Sequence, residues 1–168
     1  MDIRKIYEYA LQREYEGKRF FEENAGRLKH AAAVSAFKEL AAEEQKHIDF
    51  IISQITALDE GRQVSSEAIK KELEAGSFFS NRASSEMLDQ TVLEAMVPDL
   101  PVLRMAYLIE ADFSAFYERS ANEADGEAKI VLSMLARWER THEALFKKMH
   151  DQAYEIYAGM PWGGKSSQ

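Results

Sequence analysis

The chain has 168 residues, a formal net charge of −8 and no cysteine. The missing thiols exclude disulfides, thiolate catalysis, zinc ribbons and iron–sulfur ligation by this chain, so any metal must be held by His, Asp and Glu. No basic stripe offers a footprint for nucleic acid and no apolar run is long enough to span a bilayer, so neither partner is expected. The opening Met1-Asp2-Ile3-Arg4-Lys5 has no signal-peptide core, and a cytoplasmic location is expected.

With 8 Gly and only 3 Pro, the composition favours long helices around one core. A first helix is expected from Met1 to about Asn24. Ile3, Ile6, Ala10, Gly17 and Phe21 share one face by i+3/i+4 spacing, and Glu14 sits in the middle of it. The chain turns around Gly26-Arg27-Leu28-Lys29. A second helix follows from about Ala31 to Leu58, with the apolar stripe Phe37, Leu40, Ala41, Ile48 and Ile51. Glu44 and His47 lie within that stripe, three residues apart and on one side of the helix. A carboxylate on a buried face is costly unless something neutralises it.

Residues 59–99 read differently. They hold an expected short helix from Ser66 to Ala75 stopped by Gly76, a polar stretch from Ser77 to Ser85, and a second short helix from Glu86 to Met96. The breakers Pro98 and Pro101 follow. A helix of about 25 residues is roughly 37 Å long, so this segment can return the chain along the whole length of a bundle. A third helix is expected from Asp99-Leu100-Pro101, with Asp99 as its cap and Pro101 in its first turn. Its inner face is Leu103, Ala106, Glu110, Phe113, Tyr117 and Ala121. After a turn at Asp125-Gly126, a fourth helix runs from about Glu127 to Tyr157. Its stripe of Leu132, Leu135, Ala136, Leu145 and Phe146 encloses Glu139 and His142, again three apart. Residues 1–158 are therefore read as one helical domain and 159–168 as a tail, in which Trp162 docks on its own bundle or on a neighbouring subunit.

The two hairpins are copies of each other. Glu14 and Glu44 are 30 positions apart, Glu110 and Glu139 are 29 apart. Ala10, Phe20, Phe21, Glu22 and Ala25 correspond to Ala106, Phe116, Tyr117, Glu118 and Ala121; Ala33, Leu40 and Ala41 correspond to Ala128, Leu135 and Ala136. All four glutamates lie about 20–24 Å from their turns, so antiparallel partners meet at one height.

Four buried carboxylates repel one another, and two divalent cations balance their charge while two neutral imidazoles add none. The expected ligands are Glu14, Glu44, His47, Glu110, Glu139 and His142. Glu44 and Glu139 are expected to bridge two metals, with one lone glutamate and one histidine on each. Taken singly, each Glu-x-x-His reads as a surface pair and each lone glutamate as solvated. The duplicated context reverses that reading. His30 and His150 have Arg27 and Lys147 three residues earlier and are expected at the surface or in turns. Glu39 and Glu43 are expected in solvent, and Tyr7, Tyr107 and Tyr117 in the core.

Glu14, Glu44-x-x-His47, Glu110 and Glu139-x-x-His142, with their matched flanks, resemble the rubrerythrin group of the ferritin-like superfamily. The arrangement of one Glu on each of two helices and Glu-x-x-His on the other two is a described di-metal pattern. The likeness covers residues 1–58 and 100–157. It implies an all-α ferritin-like four-helix bundle with one long crossover between the second and third helices. It also implies two iron ions per chain, reduction of hydrogen peroxide, and a homodimer. Side-chain identity leaves manganese or zinc open.

Two features depart from the group. The rubredoxin domain with four cysteines is missing, so electrons would come from an external donor such as a rubredoxin-type protein. Tyr107 and Phe113 stand three residues from Glu110, where the group carries a further glutamate. Reduction of peroxide or dioxygen is therefore the first expectation. Ferroxidase or iron-handling activity, and a non-catalytic metal-binding module, are the alternatives.

Overall fold

A computed structural model describes residues 2–62, 71 and 94–161. Among the described residues are four long helices: α1 (Ile3–Ala25), α2 (Ala31–Asp59), α3 (Leu100–Glu123) and α4 (Gly126–Gly159), with a short 3-10 turn (Val97–Asp99) ahead of α3. The expected helix from Ser66 to Ala75, most of that from Glu86 to Met96, and Trp162 lie outside the described residues.

Local chemistry sets the helix ends. Asp2 caps α1 by accepting from the Lys5 amide at 3.3 Å. His30 caps α2, its Nδ1 accepting from the Ala32 amide at 3.1 Å, which accounts for a histidine at that turn. Gly126 opens α4 at φ +58°, a left-handed value that glycine adopts without a Cβ clash. Asp99 departs from expectation. Its carboxylate makes no cap on α3; it accepts from the Lys29 amide at 2.9 Å and from the His30 amide at 3.1 Å. It is 2% exposed, and it ties the start of α3 to the turn between α1 and α2.

α1 packs on α2 and α3 packs on α4, as two antiparallel hairpins. Their inner faces form two apolar clusters. One contains Tyr7 and Ala10 of α1, Phe50 and Ile51 of α2, Tyr117 and Ala121 of α3, and Leu132 and Leu135 of α4. The other contains Phe21 of α1, Phe37 and Leu40 of α2, Leu103 and Ala106 of α3, and Phe146 and Met149 of α4. The late part of α2 thus shares a cluster with the late part of α3, and the early parts share the other. The two helices run parallel, so the end of α2 and the start of α3 lie at opposite ends of the bundle.

The second cluster is centred on three buried rings. Phe21 stacks on Phe146 at 5.8 Å, and Phe37 meets both edge-on at 5.3 and 5.2 Å. Phe37 comes from one hairpin and Phe146 from the other, so the trio joins them. Phe37→Ala should cost about 3–5 kcal/mol of unfolding free energy, read by urea denaturation. A loss under about 1 kcal/mol would show that the trio is not a shared core.

Candidate metal centre

Between the two apolar clusters lies a layer of six polar side chains, one or two from each helix. Glu14, Glu44, Glu110 and Glu139 are 0% exposed, His47 is 3% and His142 is 4%. All six expected residues are brought together. Each sits on the core-facing stripe of its helix, which is why folding the stripe inward also carries the carboxylates inward.

The donor atoms face one another in an ordered way. His47 Nδ1 lies 3.2 Å from Glu14 Oε2, 2.9 Å from Glu139 Oε1 and 3.8 Å from Glu44 Oε2. His142 Nδ1 lies 3.6 Å from Glu110 Oε2, 3.5 Å from Glu139 Oε2 and 3.8 Å from Glu44 Oε1. Glu44 and Glu139 therefore present one oxygen to each histidine, whereas Glu14 faces only His47 and Glu110 only His142. The result is two four-donor sets, Glu14/Glu44/His47/Glu139 and Glu44/Glu110/Glu139/His142, each with its donor atoms within 4.8 Å of one another.

These residues fit a pair of cations on their own chemistry. None of the six carboxylate oxygens of Glu44, Glu110 and Glu139 accepts a well-aligned hydrogen bond. The 2.9 Å approach of His47 Nδ1 to Glu139 lies off the hydrogen-bonding direction, since that nitrogen is aligned on Glu14 Oε2. Buried carboxylates without donors are costly. A cation is the partner they lack.

Without metal, protons and one internal ion pair moderate the repulsion. Burial, then the charges of Glu139, Glu14 and Glu110, raises the Glu44 carboxyl well above its ordinary value. Burial and Glu139 do the same to Glu110. Burial alone would also raise Glu139, but the His47 charge and the close approach of both imidazoles hold it below the usual carboxylate range. Burial opposes charge on His47, yet Glu139 and Glu14 outweigh it and raise the imidazole well above its ordinary value. The metal-free layer thus favours an ion pair between His47 and Glu139, beside the Glu44 and Glu110 carboxyls whose ionisation is disfavoured.

The surroundings add features that the periodicity did not flag. Tyr117 Oη donates to Glu14 Oε1; the ring is in the core as expected, and its hydroxyl also reaches the site. Burial, then Glu14, pushes its ionisation well above the ordinary value, so the phenol keeps its proton. Trp138 stacks on His47, with centroids 4.9 Å apart and planes 10° apart. On α1, Gly17 lets the Phe113 ring lie where a Cβ would stand: its edge would be 2.8 Å from that atom, and Glu44 Oε2 3.5 Å. Outside Phe113, the Arg13 guanidinium lies over the ring at 4.6 Å and pairs with Asp112.

The remaining candidates fall elsewhere. His150 is half-buried on α4, 3.0 Å from Asp151 and edge-on to Tyr107. Tyr107 is half-buried and Tyr7 fully buried. Burial, with the Glu127 charge, pushes Tyr7 up to about 12. Glu39 and Glu43, expected in solvent, are half-buried, Glu43 in an ion pair with Lys46 at 2.6 Å. His30→Ala should cost about 1 kcal/mol through the lost cap, and His150→Ala little. Both should leave metal content per chain unchanged by elemental analysis, and a loss of metal in either would redraw the ligand set.

The rubrerythrin family model matches residues 5–150, a span that contains all six site residues. The chain belongs to the rubrerythrin family. This family sits in the ferritin-like superfamily, and its members typically bind iron. No curated protein and no solved structure matches the chain. As a rubrerythrin-family chain it lacks the cysteines of a rubredoxin domain, and among its described residues no helix is long and apolar enough to cross a membrane.

Proposed function

We propose that Glu14, Glu44, His47, Glu110, Glu139 and His142 hold two iron ions. In this reading the protein is a non-haem di-iron oxidoreductase that reduces hydrogen peroxide or dioxygen with electrons from an external donor. The observation that carries it is the pair of four-donor sets sharing Glu44 and Glu139. Glu44 and Glu139 would be shared between the two ions, Glu14 with His47 would complete one set, and Glu110 with His142 would complete the other. A bound iron pair supplies two electrons together, enough to cleave an O–O bond without releasing a radical. Manganese or zinc would satisfy the same oxygen and nitrogen donors.

The chain's own part is to neutralise, orient and keep dry. Four carboxylates balance two divalent cations, and the Nδ1 atoms of both histidines lie 2.9–3.8 Å from the shared carboxylates. Tyr117 holds its proton and fixes one oxygen of Glu14. The two apolar clusters close the layer from both ends of the bundle, which restricts side reactions with water. Membership of the family also favours a homodimer, read by sedimentation.

A second reading, ferrous oxidation and iron handling, is favoured by the replacement of a further carboxylate near Glu110 by Tyr107 and buried Phe113. Repeated cycles of peroxide with a supplied reductant separate the two. A reductase keeps its iron and consumes two reducing equivalents per peroxide over many cycles. A ferroxidase releases ferric product and stops when ferrous iron is exhausted.

A further inference from the structure

The two copies of the repeat that builds the site differ beside it, and one of the differences puts an aromatic ring against a site histidine. Glu44 corresponds to Glu139, so Glu43 corresponds to Trp138. The first hairpin carries an ion-paired carboxylate at that position, the second an indole. Trp138 is half-buried, with part of its surface in solvent. Its inner face lies on His47 at 4.9 Å and 10°, and Phe50 meets it edge-on at 5.9 Å, so the ring is held in one orientation. On the far side of His47 lies His142, at 5.5 Å and 14°. Three nearly parallel rings therefore run from solvent through both histidines of the site.

We propose that Trp138 is where electrons from an external one-electron carrier reach the site, passing to it through the His47 imidazole. This rests on the redox reading above. The geometry favours it because electronic coupling falls off far more slowly through packed atoms than across gaps, and the stack is a packed route.

The balance is simple. Reducing one hydrogen peroxide to two waters takes two electrons and two protons. The carrier gives the electrons one at a time and is itself oxidised by one electron per transfer, while the protons come from solvent. No bond to Trp138 forms or breaks, and the indole ends each transfer unchanged.

The absence of cysteine makes the test clean, because a single introduced thiol can carry a ruthenium photoreductant at a chosen place. Arg137→Cys places it beside Trp138; Lys148→Cys places it on the exposed face of α4 beyond His142. Both are made with Trp138 and with Trp138→Leu or Trp138→Phe, loaded with iron, oxidised to the ferric state and flashed. With Trp138→Leu, electron arrival from position 137 should slow at least tenfold, arrival from 148 should not change, and iron content should stay at two per chain. Trp138→Phe should recover part of the rate. Trp162→Phe proteins give a second readout, since Trp138 is then the sole tryptophan. Cobalt(II) added to the metal-free form should strongly quench its emission as His47 is ligated.

An unchanged rate from 137, an equal fall from both positions, or no quenching overturns the proposal. A wild-type protein that holds two irons yet accepts no electron from either label removes the redox reading itself, and this inference with it.

Discussion

Glu44→Gln should make the metal-free protein more stable, by about 1–4 kcal/mol at pH 7.5, while Glu139→Gln should make it less stable by about 3–5 kcal/mol. The two residues occupy equivalent places in the repeat and share the same proposed bridging role, so metal binding alone would not separate them. The metal-free electrostatics do. Glu44 has no well-aligned hydrogen bond to either oxygen and is crowded by three other carboxylates. An amide of the same shape is neutral without the proton that folding otherwise has to hold on Glu44. Glu139 is the partner that holds His47 in its charged form. Removing it leaves a buried imidazolium with less compensation, or forces the imidazole to lose its proton. Both substitutions should reduce metal content below two per chain, because the amide keeps one oxygen where the carboxylate offers one to each four-donor set, and it carries no charge. Chemical denaturation in chelator, with elemental analysis of the loaded proteins, reads both effects. Equal stability changes for the two variants would refute the ion pair.

The second large effect is on pH. Metal-free protein should lose stability steadily from pH 5 to pH 8, and metal-loaded protein should not. Glu44 and Glu110 have folded values above the ordinary 4.5. The folded state therefore keeps protons that the unfolded chain has released, and their contribution is lost as pH rises through the folded values. His47, raised above 6.5, acts in the same direction at the upper end of the window. Glu139 acts the other way, since its folded value is lowered. Its contribution is present above the unfolded value and lost as pH falls, so it sets the acid limit below about pH 5. Each proton retained by the folded state alone changes stability by about 1.4 kcal/mol per pH unit. Bound cations take the place of those protons and remove the dependence. Urea midpoints at pH 5.5 and 7.5, with chelator and with metal, decide the matter. A metal-free midpoint that rises with pH would contradict the protonation pattern.

The convergence of these six residues was legible in the sequence because each is a polar residue on an apolar stripe, and because the hairpin is duplicated. Periodicity assigns an inward direction, and duplication assigns a common height. What was not legible came from contacts between hairpins. Asp99 has the local look of a cap for the helix it precedes, yet its carboxylate satisfies amides near residue 30, 70 positions away. Trp138 lies one position from Glu139, off the stripe, so periodicity gives it no role; only the approach of α2 brings His47 beneath it. Tyr117 was placed in the core by its stripe, correctly. Its contact with Glu14 depends on how α1 and α3 face each other, and two turns of separation from Glu110 were the sole hint. Glu43 and Glu39 were placed in solvent from their off-stripe positions, but the packed hairpins cover them in part.

The most direct test of the account is the amount of metal held. Purified metal-free protein is loaded anaerobically with ferrous iron, desalted, and assayed for iron per chain with its helicity measured alongside. The account predicts two irons per chain, falling below two in Glu44→Gln and Glu139→Gln. One iron or none in a protein that remains folded and helical would contradict the shared-carboxylate site and the redox function built on it.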